Sequence, residues 1–223
     1  MKEKNFKISL SLLLITLIIV LISMAFMPKE IPLHYDLQGN IDNYGSKYWF
    51  LLIPFLAFLT WGLLHLIARS FKKQNKNSNS KITYIASSCT MIMFIILELI
   101  FIVIEFKKMD SISIENIIYR TANIGLGLTF ILIGNVLPKI TKNKVIGLRT
   151  TWSLYNDNTW NTSQRQGGYM IIGIGFAMII ASIFVFGVYN LFVLFGSISI
   201  MLILAYVISY QAYKKEINKA TTK

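Results

Sequence analysis

Four polar side chains fall inside long apolar runs, where ionisable groups are rare unless they pair or have a function. Glu98 and Glu105 are seven residues apart, which places both on one face of a helix. Arg120 and Asn123 lie in the next apolar run, after a connection of only about ten residues, so the two helices are expected to be antiparallel neighbours. Glu98 should face protein or water, be paired, or be protonated. Glu105 and Arg120 have the simpler alternative of extending to the membrane surface.

A second group of candidate residues lies between residues 27 and 47. Imidazole and carboxylate groups suit zinc, but their spacing here matches no familiar zinc motif. A structured loop in which His34 bonds to its own backbone is the simpler interpretation, so no metal is expected. A titrating His34 would still give this loop a pH-sensitive charge. The residues concerned are Glu30, His34, Asp36 and Asp42.

Soluble catalytic machinery is not expected. The sequence has no glycine-rich phosphate loop, no pair of histidines on a helix and no plausible Ser-His-Asp set. Its single cysteine, Cys89, excludes an intramolecular disulfide and a cysteine metal cluster. We therefore predict a protein that is not an enzyme and needs no cofactor.

The composition indicates a membrane protein. Of the 223 residues, 55% are hydrophobic and only 14% are charged, against roughly a quarter charged in an ordinary soluble domain. A mean hydropathy of +0.59 argues against a secreted enzyme, a disordered chain or a soluble nucleic-acid-binding domain. A spanning helix needs about 20 apolar residues, and six runs qualify, which predicts an all-α integral membrane protein. The runs lie near 8–26, 48–68, 82–106, 117–137, 168–187 and 190–210.

The basic residues predict the orientation. With the N-terminus inside, inner segments hold 17 of the 22 Lys and Arg and outer loops hold four. The positive-inside rule then places both termini in the cytoplasm. The outer total includes Lys108, and the inner total includes Lys223. The first run follows three lysines and resembles a signal peptide, but its length favours an uncleaved anchor.

The chain divides into four regions. Residues 1–81 form an N-terminal membrane region that includes the outer loop and a polar connector at 69–81, which has too little apolar surface to fold alone. Residues 82–116 hold the third helix and an outer loop. Residues 117–210 form a membrane domain whose cytoplasmic loop, 138–168, mixes cations with apolar and aromatic residues and should be structured at the membrane surface. Residues 211–223 form a basic tail.

Two packing features are also predicted. Small residues recur every four positions in the fifth run, at Gly173, Ala177 and Ala181, and should allow a neighbouring helix to approach closely. Aromatic residues near the ends of the runs should form interfacial belts, among them Trp152 and Trp160.

Two motifs stand out in the long loops. The outer loop carries Pro28, Ile31, Pro32, His34, Gly39, Asp42 and Lys47. The inner segment carries Gly134, Asn135, Pro138, Lys139, Asn143, Gly147, Leu148, Arg149, Thr150, Trp152, Leu154, Trp160, Arg165 and Gly168. In these residues the chain resembles the SdpI family, over about residues 8 to 210. It departs from the family pattern at two positions: Thr151 replaces the proline usual before the tryptophan, and Gln164 stands where histidine is frequent.

The resemblance implies a multi-pass protein of the bacterial plasma membrane. It would protect its producer from a secreted membrane-active toxin peptide on the outer face, and could signal by holding a transcriptional repressor at the inner face without touching nucleic acid itself. Two alternatives remain open from the residues. Glu98, and two halves of three runs each that could be an inverted repeat, suggest a small proton-coupled transporter. The third alternative is a membrane assembly subunit without catalytic activity.

Overall fold

A computed structural model describes residues 2–107 and 111–221. In that part of the chain, six helices are long and apolar enough to cross a membrane, and the predicted all-α, six-span architecture is confirmed. Lys108 and Lys223, which entered the count of charges, lie outside the described residues. The helices are α1 (Lys2–Phe26), α2 (Leu52–Lys73), α3 (Asn77–Lys107), α4 (Ser111–Val136), α5 (Asp157–Phe184) and α6 (Asn190–Thr221).

Two short strands were not predicted. β1 (Glu30–Tyr35) and β2 (Ile41–Ser46) form an antiparallel hairpin between α1 and α2, followed by a 3-10 turn at Lys47–Leu51. The sequence indicated only extended backbone and turns here, because a strand pair this short shows no clear alternation of apolar and polar residues.

The chain forms two compact units, residues 1–118 and 119–223. Unit 1 contains α1, α2, α3 and the hairpin. Near its middle, Leu13 of α1, Ala57 of α2 and Met91 of α3 form one buried apolar cluster. At the end that carries the hairpin, Val20, Met24, Met27, Ile31 and Phe50 form a second. The two clusters pack α1 against both other helices and fix the base of the hairpin.

The predicted polar connector at 69–81 is largely helical. α2 continues to Lys73, a turn with Asn75 at a φ of +59° follows, and α3 begins at Asn77. Asn79 and Ser80 are buried, so the second half of this segment is packed, and the prediction of a solvated connector is wrong there. Low complexity hid a helix start whose polar side chains pack inside the protein.

Unit 2 contains α5, α6 and the part of α4 from Tyr119 onward. Glycines bring α4 and α5 together at two levels: a Cβ atom on Gly127 would lie 2.8 Å from the carbonyl oxygen of Gly175, and one on Gly134 would lie 2.6 Å from that of Gly168. The predicted stripe is not the one used, because Gly173 and Ala177 are exposed. The close-packing glycines repeat every seven residues instead.

Candidate functional site

The hairpin gathers the residues of the first motif. Ile31 pairs with Gly45 and His34 with Asn43, with irregular register around His34. Nδ1 of His34 donates to Oδ1 of Asp42 at 2.7 Å, an exposed contact across the hairpin. His34 therefore bonds to the Asp42 side chain rather than to its own backbone as predicted.

The turn of the hairpin is built around Asp36. Its Oδ1 accepts the backbone N–H groups of Gln38 (2.9 Å) and Asn40 (2.8 Å), and its Oδ2 accepts from the Asn40 side chain (2.9 Å). Gly39 adopts a φ of +82°, which favours glycine. The Asn40 side chain, followed by the backbone donors, lowers the pKa of Asp36. These bonds hold the Asp36 carboxylate in the turn. Within residues 2–107 and 111–221, no group of three or more His, Cys, Asp or Glu lies close enough together to hold a metal ion.

Lys47 joins the hairpin to the end of α1. Its Nζ donates to the carbonyl oxygens of Met24 (2.7 Å) and Met27 (3.5 Å), and its backbone N–H donates to Lys29 (3.0 Å). A cation at this position satisfies carbonyls left open at a helix C-terminus. The motif lysine is thus placed to hold the hairpin against the helix bundle.

Glu105 lies beside the hairpin. Burial, then the charge of Glu105, then Tyr44 raise the pKa of the Tyr35 hydroxyl to about 12. Glu105 therefore acts on a hairpin side chain from the end of α3. This agrees with the alternative that Glu105 reaches the membrane surface.

Exposed aromatic side chains accompany the acids of the hairpin. Tyr44, Tyr48 and Trp49 are 57%, 67% and 60% exposed. Trp49 also lines an open groove of about 430 Å³ with Leu52 and Phe55 at the start of α2. Large exposed rings beside carboxylates suit a ligand that is apolar and cationic.

Glu98 of α3 is fully buried, and neither of its carboxyl oxygens has a hydrogen-bond partner among the described residues. The prediction that it is kept away from lipid is met by burial in protein. The structure shows no hydrogen-bonded network around it in the described part of the chain.

Arg120 and Asn123 of α4 hold the turn between α5 and α6. Asn123 is buried, and its Nδ2 donates to the backbone and side-chain oxygens of Asn190, both at 3.0 Å. Arg120 donates to the carbonyl of Ile183 (3.3 Å), and its guanidinium lies 4.5 Å from the Phe186 ring centroid. These two residues therefore fasten one turn of unit 2.

The second motif runs from the end of α4 to the first turns of α5, across what we call the α4–α5 loop, residues 137–156. Asn143 is buried there; its Oδ1 accepts the N–H groups of Val145 (2.7 Å) and Ile146 (2.8 Å), and its Nδ2 donates to the carbonyls of Thr141 (2.9 Å) and Ile146 (3.0 Å). Gly147 follows with a φ of +111°. The loop is ordered as predicted, but it is held by polar contacts within itself.

Two buried side chains of α5, those of Trp160 and Gln164, hold this loop in place, and we call their contacts the lock. Trp160 is fully buried, and its Nε1 donates to the carbonyl of Ile140 at 2.8 Å. Gln164 bonds twice to Leu148, and Gly167 leaves room for the Leu148 side chain. The prediction of Trp160 as an interfacial belt residue is therefore wrong: α5 begins at Asp157, about ten residues earlier than expected, and Trp160 points into the fold.

The loop also packs on α6. Trp152 makes edge-to-face contacts with Tyr206 and Tyr210 at ring separations of 4.4 and 5.0 Å. Asn158 of α5 donates to Glu216 at 2.9 Å. These contacts explain why α6 stays helical over 32 residues, well beyond the 20 or so that a bilayer needs.

The cations of the second motif remain at the surface. Among them, Arg149 and Arg165 are exposed outside the contacts that hold the loop, so they are accessible to a ligand or partner. The exposed motif residues are Asn135, Pro138, Lys139, Arg149 and Arg165, whereas Gly134 and Gly168 are buried in helix contact and Thr150 bonds to Ser153.

Sequence reasoning missed a buried polar cluster in unit 1. His65 donates from Nδ1 to the carbonyl of Trp61 (2.8 Å), and its Nε2 lies 3.3 Å from Oγ of Ser9. The rings of Phe6, Trp61 and Tyr84 surround the imidazole at 4.2 to 5.2 Å. The Trp61–His65 spacing of four residues was the only available signal, and it is common in helices.

The comparisons with known proteins agree with the resemblance. Residues 139–210 match the SdpI/YfhL protein family, and residues 11–58 match a domain of unknown function, DUF1648. The chain is 24% identical over 213 residues to a Bacillus subtilis protein described as "Immunity protein SdpI", covering 96% of this chain and 97% of that one. No solved structure matches.

The predicted family resemblance is thereby confirmed. Residues 139–210, which cover most of the α4–α5 loop, all of α5 and most of α6, are similar to the SdpI/YfhL family, and the chain is a multi-pass membrane protein. Similarity to an immunity protein favours a role that is not enzymatic.

Proposed function

We propose that this chain, with its SdpI-family domain, is an immunity protein of the bacterial plasma membrane that protects its cell from a secreted, membrane-active toxin peptide. The proposal rests on the similarity to an immunity protein over 96% of the chain, a span that includes both folded loops.

The hairpin supports contact with such a peptide. In the proposed topology it faces outward and carries Glu30, Asp36 and Asp42 together with exposed Tyr44; Trp49 is exposed in the turn that follows. A cationic amphipathic peptide at the membrane surface would meet carboxylates and aromatic rings together. We propose that the hairpin surface is where the protein recognises the peptide.

The α4–α5 loop supports contact on the opposite, cytoplasmic face. Its exposed cations suit anionic lipid headgroups, and the rigid backbone around Gly147 and Leu148 suits a protein partner. We propose a cytoplasmic repressor protein as that partner, held at the membrane when toxin is present.

Protection is tested by expressing the chain in a sensitive host and exposing it to the peptides encoded beside its gene. Survival at concentrations that kill the host carrying an empty vector is the expected result. Equal killing of both strains by every peptide contradicts the immunity function, provided that immunoblotting shows the protein in the membrane.

One observation favours a second candidate, a proton-coupled transporter: a fully buried carboxyl, Glu98, with no hydrogen-bond partner in the described residues. Purified protein in vesicles would then move a solute in response to a proton gradient, and vesicles without protein are the control.

A further inference from the structure

Glu98 lies between two apolar clusters of unit 1. One turn before it on α3, Phe94 packs against the cluster of Leu13 and Met91, and one turn after it, Ile102 packs against the cluster that contains Val20. Residues spaced by four share one helix face, so Glu98 faces α1 between these two levels. The carboxyl therefore lies in the interface where α1 packs on α3, which we call the seam.

Near the level of Glu98, the described residues of α1, α2 and α3 include no cationic side chain. Residues 8–26 of α1 and 52–64 of α2 contain no titratable side chain, and on α3 the only other one between 85 and 104 is the thiol of Cys89. His65 and Arg69 lie toward the far end of α2, whereas Lys47 is bonded to carbonyls of α1 at the hairpin end and Glu105 lies near Tyr35. The hydroxyl of Thr16, which lies on α1 between Leu13 and Val20, donates to Leu13 at 2.7 Å.

An ionised carboxylate that is buried and has no hydrogen-bond partner among the described residues is strongly disfavoured relative to the neutral acid. A metal ion is a poor alternative, because no group of three or more His, Cys, Asp or Glu forms within 2–107 and 111–221. We propose that Glu98 is a proton-binding site that carries its proton whenever α1 and α3 are packed together.

This site links a proton to the packing of unit 1. Ionisation of Glu98 requires water or a cation to reach the seam, so α1 and α3 must separate locally before the proton leaves. Conversely, a change that separates the two helices and admits water to Glu98 allows the proton to leave. This link goes beyond the proposed function, since it holds whether or not a toxin is the stimulus.

The protonated acid is detected by infrared spectroscopy of the full-length protein in lipid vesicles. At neutral pH the wild type should show the carbonyl band of a protonated carboxylic acid, which Glu98→Gln removes and the matched control Glu105→Gln retains. Circular dichroism checks that both variants fold. The absence of this band in the wild type, or its persistence in folded Glu98→Gln, overturns the proposal.

A second measurement needs no variant. Dicyclohexylcarbodiimide partitions into membranes and adds to a neutral carboxylic acid: the acid proton moves to one nitrogen, the carboxyl oxygen bonds to the central carbon, and the acyl group then migrates to the other nitrogen, so that every atom of both reactants is kept in the N-acylurea. Peptide mass mapping should place the adduct on Glu98. Labelling confined to other carboxyl groups contradicts a protonated Glu98.

Discussion

Gln164 of α5 bonds to both polar groups of the Leu148 backbone: its Oε1 accepts the Leu148 N–H and its Nε2 donates to the Leu148 carbonyl, each at 2.8 Å. Gln164 is one of two positions where the sequence departs from the SdpI-family pattern. A side-chain amide offers a donor and an acceptor side by side, so it pairs with one residue's backbone as a neighbouring strand would. The departure therefore has a structural use in this chain.

Replacing Gln164 by alanine should unfold the α4–α5 loop. The change leaves the buried Leu148 N–H without a partner and removes one of the two donors to the Leu148 carbonyl, which keeps the Ser153 hydroxyl. An unsatisfied buried backbone group costs about 1–3 kcal/mol. We expect the free energy of unfolding in detergent micelles to fall by roughly 2 kcal/mol. Hydrogen exchange at residues 140–150 should become faster. Gln166→Ala is the matched control, since Gln166 is exposed two residues away; equal effects of both variants would rule out the lock.

Much of the fold follows from the sequence, and the exceptions share a cause. Six apolar runs predict six spans, because a bilayer demands about 20 apolar residues whatever the tertiary structure. The buried positions of Trp160 and Asn79 were not predictable in this way, because tryptophan and asparagine are also usual at interfaces and in solvated turns. Only contacts distant in sequence, such as that of Trp160 with Ile140, decide between these positions.

The sequence revealed both motifs, but not which of their residues shape the backbone and which remain exposed. Asn143 and Gly147 shape the loop, whereas Arg149 is exposed, although all three belong to one motif. Spacing along the chain cannot separate these roles in an irregular loop, which has no period to assign a face. The hairpin poses the same problem, since His34 finds Asp42 only through the strand register.

Asn123 should matter more for stability than a neighbouring asparagine. Asn123→Ala leaves the backbone oxygen of Asn190 without its Nδ2 donor inside the protein, and should cost about 1–3 kcal/mol. Asn116→Ala on the same helix removes an exposed bond to the carbonyl of Ile112, and should cost less stability than Asn123→Ala. Thermal unfolding of the two variants in the same detergent compares them; a larger loss for Asn116→Ala would contradict the assignment.

Lys47→Met should loosen the hairpin while keeping the apolar stem of the side chain. The variant loses the ammonium that satisfies the Met24 carbonyl at the end of α1, an interaction expected to be worth about 0.5–2 kcal/mol. Hydrogen exchange at residues 30–46 should become faster, with exchange in α5 unchanged. Lys29→Met is the control, because the exposed Lys29 ammonium lies outside the bonds that join Lys47 to α1; similar exchange in both variants would contradict the role of Lys47.

The hairpin turn should resist mild acid. Hydrogen bonds lower the pKa of Asp36 in the folded turn below its value in an unfolded chain, so the stabilisation is complete above the unfolded pKa. It is lost only as the pH falls through the lower, folded value. Carboxyl carbon shifts in nuclear magnetic resonance should therefore titrate at lower pH in the protein than in a peptide of residues 35–41, and Asn40→Ala should move the midpoint back toward the peptide value. Identical midpoints in protein and peptide would show that the turn does not stabilise the carboxylate.

Arg149 should be the cytoplasmic contact that cannot be replaced by lysine. It is exposed directly after Leu148, whose backbone is fixed by Gln164, so its guanidinium projects from a rigid position. A guanidinium offers a planar pair of donors to a carboxylate of a protein partner, whereas an ammonium acts as a point charge that serves lipid headgroups equally well. Arg149→Lys should therefore keep membrane insertion and vesicle binding but reduce cross-linking of a soluble protein from this loop in cells, most clearly when toxin is present.

Arg165→Lys, an exposed change of the same kind on α5, is the control. Recovery of lipid alone from a cross-linker at position 149, in both the wild type and Arg149→Lys, would leave the loop with a topological role only, because the positive-inside rule needs charge and not the shape of a guanidinium.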